Sequence, residues 1–191
     1  MASGKLIVIT GPSGVGKGTI VRSLIQKYPQ LHLSISATTR NPRSGEVDGR
    51  DYYFLSREEF QSAIADGEFL EWAEYAGNYY GTPKTKVQEL ITTGKLVLLE
   101  IELIGARAIS KIFPDAVRIF LLPPSMKELE TRLRGRGKDP AAAIEKRLLR
   151  AKEEIAASEE FEIRIVNQDL ATAIKDVAKV IFGEQGLGTR E

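Results

Sequence analysis

The densest chemistry in the chain lies near its start, at Gly11-Pro-Ser-Gly-Val-Gly-Lys17-Gly18-Thr19. Gly11 through Lys17 satisfies the phosphate-loop pattern G-x-x-x-x-G-K. Glycines at 11, 14 and 16, with Pro12, Ser13 and Val15 between them, let backbone N–H groups turn inward onto phosphate oxygens. A helix beginning at this point aims its positive end at the same oxygens. Lys17 supplies a mobile charge for β- and γ-phosphates. The full pattern next asks for Ser or Thr to ligate Mg²⁺, but Gly18 stands there and Thr19 follows. Either Thr19 substitutes, or Mg²⁺ is held by phosphates and water, an arrangement this ion accepts.

A second cluster lies downstream. The turn-rich stretch from Ser36 to Phe54 concentrates Arg40, Arg43, Tyr52 and Tyr53, and Gly77–Thr82 adds the hydroxyls of Tyr80 and Thr82. Guanidinium forks suit a phosphate dianion. Singly, each residue reads as a solvated charge or a half-buried aromatic. Together, beside a phosphate loop, they read as a second, monophosphate site.

These residues need a scaffold. Lys5–Thr10 is a short apolar run and reads as a buried strand, and Thr19–Lys27 carries apolar residues at 20, 21, 24 and 25, one face of a helix. Strand, glycine turn and helix open an α/β unit. Leu31–Thr38 reads as one further strand. Ser56 and Glu59 form a capping box for a helix to about Ala65, and Phe69–Tyr80 reads as a hairpin turning at Gly77-Asn78. Thr82-Pro83 reads as an N-cap followed by proline at the first helical position. Strands at Leu96–Ile101, Val117–Leu122 and Phe161–Val166 alternate with helices from about Ile104, Ser125, Asp139 and Asp169. The predicted fold is α/β, with a parallel core sheet flanked by helices (4–37, 94–123, 159–183). It carries an inserted small α+β subdomain (38–93), a helical lid (124–158) and a frayed tail (184–191).

Composition narrows the function. The 191 residues suit one domain. The sequence has no cysteine and one histidine, His32, which excludes disulfides, thiol nucleophiles and cysteine or histidine metal centres and argues against a Ser-His-Asp triad. Lys and Arg total 27 against 26 Asp and Glu, so no basic footprint for nucleic acid or membrane is expected. No leader or apolar span is legible, which points to a cytoplasmic chain.

From about Lys5 to Phe182 the sequence resembles the guanylate kinases, which convert ATP and GMP to ADP and GDP. The resemblance is carried by G-P-S-G-V-G-K-G, S-x-T-T-R-x-P-R-x-G-E-x-x-G-x-D-Y, F-L-E-W, G-N-Y-Y-G-T and R-G-R-G. It implies the nucleoside monophosphate kinase fold and the substrates ATP and GMP. By it, Arg40, Arg43, Tyr52 and Tyr80 would hold the GMP phosphate, and Glu71 would face guanine, helped by Ser36, Thr82 and, with less support, Glu102. A carboxylate accepts from both guanine donors, N1–H and the 2-amino group, whereas adenine presents an acceptor at N1. Arg132, Arg136 and Arg147 would neutralise transferring phosphoryl charge from a mobile lid, and Asn167 would lie near adenine. Mg²⁺ is the implied cofactor. Glu100-Ile-Glu102 stands where relatives usually carry Asp-x-Asp, leaving Glu100 or Thr19 as possible metal contacts. A monomer or a homodimer is expected. The rival readings are a related kinase with another acceptor, and a non-catalytic interaction module.

Overall fold

The computed structural model describes residues 4–135 and 140–184. In chain order the elements are β1 (Lys5–Thr10), α1 (Lys17–Lys27), β2 (Leu31–Leu33), β3 (Ala37–Thr38), β4 (Tyr53–Phe54), α2 (Arg57–Ala65), β5 (Phe69–Tyr75), β6 (Asn78–Pro83), α3 (Lys84–Thr92), β7 (Leu96–Glu100), α4 (Leu103–Ile112), β8 (Val117–Leu122), α5 (Met126–Gly135), α6 (Ala141–Ala156), β9 (Ile163–Val166) and α7 (Leu170–Phe182). The fold is mixed α/β. Its larger sheet has the order β2-β7-β1-β8-β9, and the pairs β2–β7 and β8–β9 are parallel. The chain divides into two compact units, Met1–Val8 with Gln30–Ala116 and Ile9–Pro29 with Val117–Glu191.

In the first unit the stretch expected as one strand, Leu31–Thr38, is two. Leu31–Leu33 pairs with β7, and Ser34 N–H still donates to Leu98 at 2.9 Å. By Ser36 the ladder has changed partner, since its carbonyl accepts from Tyr53 N–H at 2.9 Å. Ala37 and Thr38 therefore belong to a second sheet, ordered β4-β3-β6-β5. Helix α2 covers one face of that sheet, with Phe60 stacked on Phe69 at 4.5 Å and on Tyr79 at 5.4 Å. The Ser56–Glu59 capping box fixes where α2 begins. The hairpin turns at Ala76 and Gly77, both left-handed (φ 50° and 78°), one residue earlier than expected; Asn78 already pairs with Tyr75. That mirror-image turn matches the strand twist. Thr82 does not cap α3 but stays in β6, and Pro83 is the N-cap.

In the second unit α1 buries Ile20, Val21 and Leu24 and packs against α7, with the Tyr28 and Phe182 rings 4.8 Å apart. Asp169 caps α7 by accepting from Ala171 and Thr172 N–H, as its position before the apolar stripe predicts. Helices α5 and α6 share a core of Leu129, Leu133, Ile144 and Ala151. Within 124–158, α5 is thus anchored by two buried leucines four residues apart, Leu129 and Leu133. Among the described residues no helix is long and apolar enough to cross a membrane.

Candidate functional site

The sequence-predicted residues fall into two groups, one in each unit. In the second unit β1 delivers the chain into the loop Gly11–Gly16, and α1 starts at Lys17. The three loop glycines adopt φ of 145°, 90° and 106°, conformations a side chain resists. Close approach adds a second requirement at Gly16, where a Cβ would stand 2.6 Å from Asn167 Nδ2. The loop is also tied within itself: Val15 N–H donates to the Pro12 carbonyl at 3.2 Å, and Ser13 is half-buried. The Lys17 ammonium lies buried across the loop, donating to the Gly11 carbonyl and, at 3.5 Å, to that of Pro12. Gly18 and the exposed Thr19 fill the first turn of α1.

Asn167 and Arg132 brace this loop. Asn167 Nδ2 donates to the Val15 carbonyl at 2.8 Å, while its backbone N–H donates to Leu122. Arg132 donates from Nη2 to the Asn167 carbonyl at 3.0 Å and from Nη1 to Val15 at 3.4 Å. Glu128, one helical turn earlier, orients the guanidinium through Nε at 3.1 Å. Glu128 N–H also donates to Ser125 Oγ at 3.1 Å, half of a capping box, while its carboxylate serves Arg132. Leu129 and Leu133 pack onto Gly14, whose missing side chain makes room for them. Arg147 is half-buried on α6. Arg136 lies outside the described residues.

In the first unit the second sheet builds the other group. Antiparallel register places Glu71 opposite Thr82 and Ala73 opposite Tyr80, and Thr38 pairs with Tyr80 from the other side. A register shift between Phe69 and Glu71 breaks the alternation of β5, so Leu70 and Glu71 are both buried. Bulges of this kind re-aim side chains. The result is a carboxylate only 6% exposed, accepting from Thr82 Oγ1 at 2.5 Å. Burial raises its pKa to about 7, and the Thr82 hydrogen bonds oppose the rise.

Arg40, Arg43, Tyr52 and Tyr80 gather beside the same sheet. The Arg40 guanidinium lies 5.3 Å from the centre of the Tyr52 ring and pairs with Glu46 at 2.9 Å. The other Glu46 oxygen accepts from Arg43 N–H at 2.7 Å, so one carboxylate clips both arginine positions into the loop. Glu46 stood in the motif as an unassigned acidic position, and only its two contacts reveal its role. The Tyr52 and Tyr80 rings meet edge-on at 6.2 Å. Burial pushes the Tyr52 hydroxyl up to about 12, with the negative charge of Glu100 acting in the same direction. Glu100, half-buried at the end of β7, therefore faces this cluster. Glu102 is the N-cap position of α4 and Ser36 is half-buried beside β3. Trp72 is 45% exposed and touches Tyr79 edge-on at 5.9 Å.

The arrangement can hold two anions in two chemically different settings. One is a backbone cradle with a lysine and a braced arginine. The other is an arginine and tyrosine cluster next to a buried carboxylate. The family model described as guanylate kinase matches residues 3–184. The chain is 60% identical to the guanylate kinase of Nostoc sp. over 95% of its own length and 91% of that protein's. It is 59% identical to that of Synechocystis sp., covering 95% of each. Among solved structures it resembles guanylate kinase from Anaplasma phagocytophilum with a TM-score of 0.80 and 32% identity, covering 98% of this chain and 89% of the other.

Proposed function

The chain belongs to the guanylate kinase family and phosphorylates GMP, and from that premise we propose that its two residue groups divide the reactants. The loop Gly11–Thr19 holds the ATP phosphates, and Arg40, Arg43, Tyr52 and Tyr80 hold the GMP phosphate. Glu71 and Thr82 read guanine, with Ser36 and Glu102 completing that pocket. A GMP-binding subdomain at about 38–93 and a lid at about 124–158 are part of the same proposal.

The observation that carries this reading is the Glu71–Thr82 pair. A buried carboxylate with one hydroxyl donor keeps acceptor capacity unfilled. Guanine supplies two adjacent donors; adenine, cytosine and thymine do not present that pair. The same carboxylate that welcomes guanine repels the N1 lone pair of adenine.

Catalysis here is positioning and charge. The attacking oxygen is already ionised on the monophosphate, so no covalent intermediate is needed. Lys17 follows the β- and γ-phosphates, and Arg132, Arg147 and Arg136 neutralise the equatorial oxygens. Asn167 keeps the loop in shape and contacts adenine at its edge. A bound Mg²⁺ would supply charge neutralisation at the phosphates. Among the described residues no three acidic or histidine side chains group as a cage, which is compatible with an ion held mainly by phosphates and water. Either Glu100 or Thr19 would hold a water of that ion.

A coupled assay of ADP formation with GMP, AMP, UMP and dTMP tests the reading. Turnover should require GMP. Equal turnover with another monophosphate would replace the acceptor, and none with any of the four would favour a binding module.

A further inference from the structure

Gly105 is the third residue of α4 and is buried. Helix interiors disfavour glycine by about 1 kcal/mol relative to alanine, so its presence calls for a reason. Its φ is not left-handed, so backbone conformation does not require it. Space does. A Cβ built at 105 would fall inside contact distance of Glu71 Oε2 and stand 2.9 Å from Glu71 Cδ. Helix α4 packs along β5, which carries Glu71. The other carboxylate oxygen, Oε1, is taken by Thr82 at 2.5 Å.

We propose that Gly105 is a positioning residue for guanine recognition: the bare backbone of α4 and the Thr82 hydroxyl together fix the plane of the Glu71 carboxylate. Neither contact is enough alone. Thr82 holds one oxygen but leaves the carboxylate free to rotate about that anchored oxygen. The α4 backbone limits that rotation from the opposite side. The first turn of a helix whose N-cap side chain makes no capping hydrogen bond also favours the negative charge seated over it. A methyl group at 105 would drive the carboxylate off this seat. It would tilt away from the α4 end, and one of its two bonds to guanine would lengthen. The proposal rests on Glu71 reading guanine.

The test is a cycle of four proteins: parent, Gly105→Ala, Glu71→Ala and the double variant. KM and kcat are measured for GMP, with the KM for ATP as a control. Gly105→Ala should raise the GMP KM about tenfold, the scale of one misaligned hydrogen bond to a charged group, with kcat kept within about threefold. In the Glu71→Ala background the same change should add less than about twofold, because the obstructed group is gone. If Glu71→Ala leaves the GMP KM unchanged, the assignment of guanine to Glu71 falls and this inference falls with it. If Glu71→Ala raises the KM while Gly105→Ala does not, or Gly105→Ala raises it by the same factor in both backgrounds, the positioning role is overturned. Thermal unfolding covers the case in which Gly105→Ala alone does not fold. Folding restored by Glu71→Ala supports the obstruction; failure in both backgrounds contradicts it.

Discussion

With Glu71 reading guanine as proposed, it sets the pH behaviour of the acceptor site. Its carboxyl has a pKa of about 7 because it is buried. Above that value it is an anion with acceptors for both guanine donors; below it, one oxygen carries a proton and repels one of them. GMP kcat/KM should therefore fall as pH drops through about 7, steepening further near 6 as the nucleotide phosphate takes a proton. Glu71→Gln should keep only the second inflection. The stability sign is the reverse of the usual carboxylate. The folded state binds this proton more tightly than the unfolded chain, so the contribution is present at low pH and is lost as pH rises from about 4.5 through about 7. The melting point of Glu71→Gln relative to parent should accordingly rise between pH 5 and pH 8. Lys17 makes a second residue-level test. Lys17→Ala should lower turnover by roughly 10²–10³, the usual cost of removing one charged contact to a transition state, with the fold retained. Near-normal turnover would remove Lys17 from the mechanism.

At the scale of elements, local signals were legible and long-range packing was not. The strand–loop–helix of the phosphate loop, the Ser56 capping box and the Asp169 cap each depend on residues within a few positions of one another, and each is where the sequence placed it. The split of Leu31–Thr38 was not legible, because its two halves are both apolar and only their hydrogen-bond partners, Leu98 and Tyr53, separate them. Thr82 looked like a helix cap because the Thr-Pro pair is a local signal; its hydroxyl instead answers Glu71, eleven residues away and across a hairpin. Gly105 is visible as a glycine in a helix, but its reason is not, since its neighbour Glu71 is distant in sequence. The seating of α5 was not legible for the same reason. The arginines of α5 are conspicuous, and the leucines that seat it on Gly14 show only in the packing. Amides around Leu129 and Leu133 should hence exchange slowly even without nucleotide. Exchange there as fast as in an unstructured peptide would contradict the anchoring. Leu129→Ala should cost about 2–5 kcal/mol of stability, read by denaturant unfolding.

The whole molecule divides its chemistry as it divides its contacts. The phosphate loop, Arg132, Arg147 and Asn167 belong to one compact unit; Arg40, Arg43, Tyr52, Glu71, Tyr80, Thr82, Glu100 and Glu102 belong to the other. A change in one group should therefore move the kinetic constants of one nucleotide and spare the other. The most direct measurement is kcat/KM for GMP and for AMP, together with the KM for ATP, in parent and Glu71→Gln. Glutamine keeps the size of the side chain but exchanges one acceptor for a donor, leaving a guanine donor without its partner. GMP efficiency should fall by roughly 10- to 1,000-fold, AMP should hold steady or improve slightly, and the KM for ATP should stay within about twofold. A GMP/AMP ratio unchanged within about threefold would show that guanine is read elsewhere and would contradict the account.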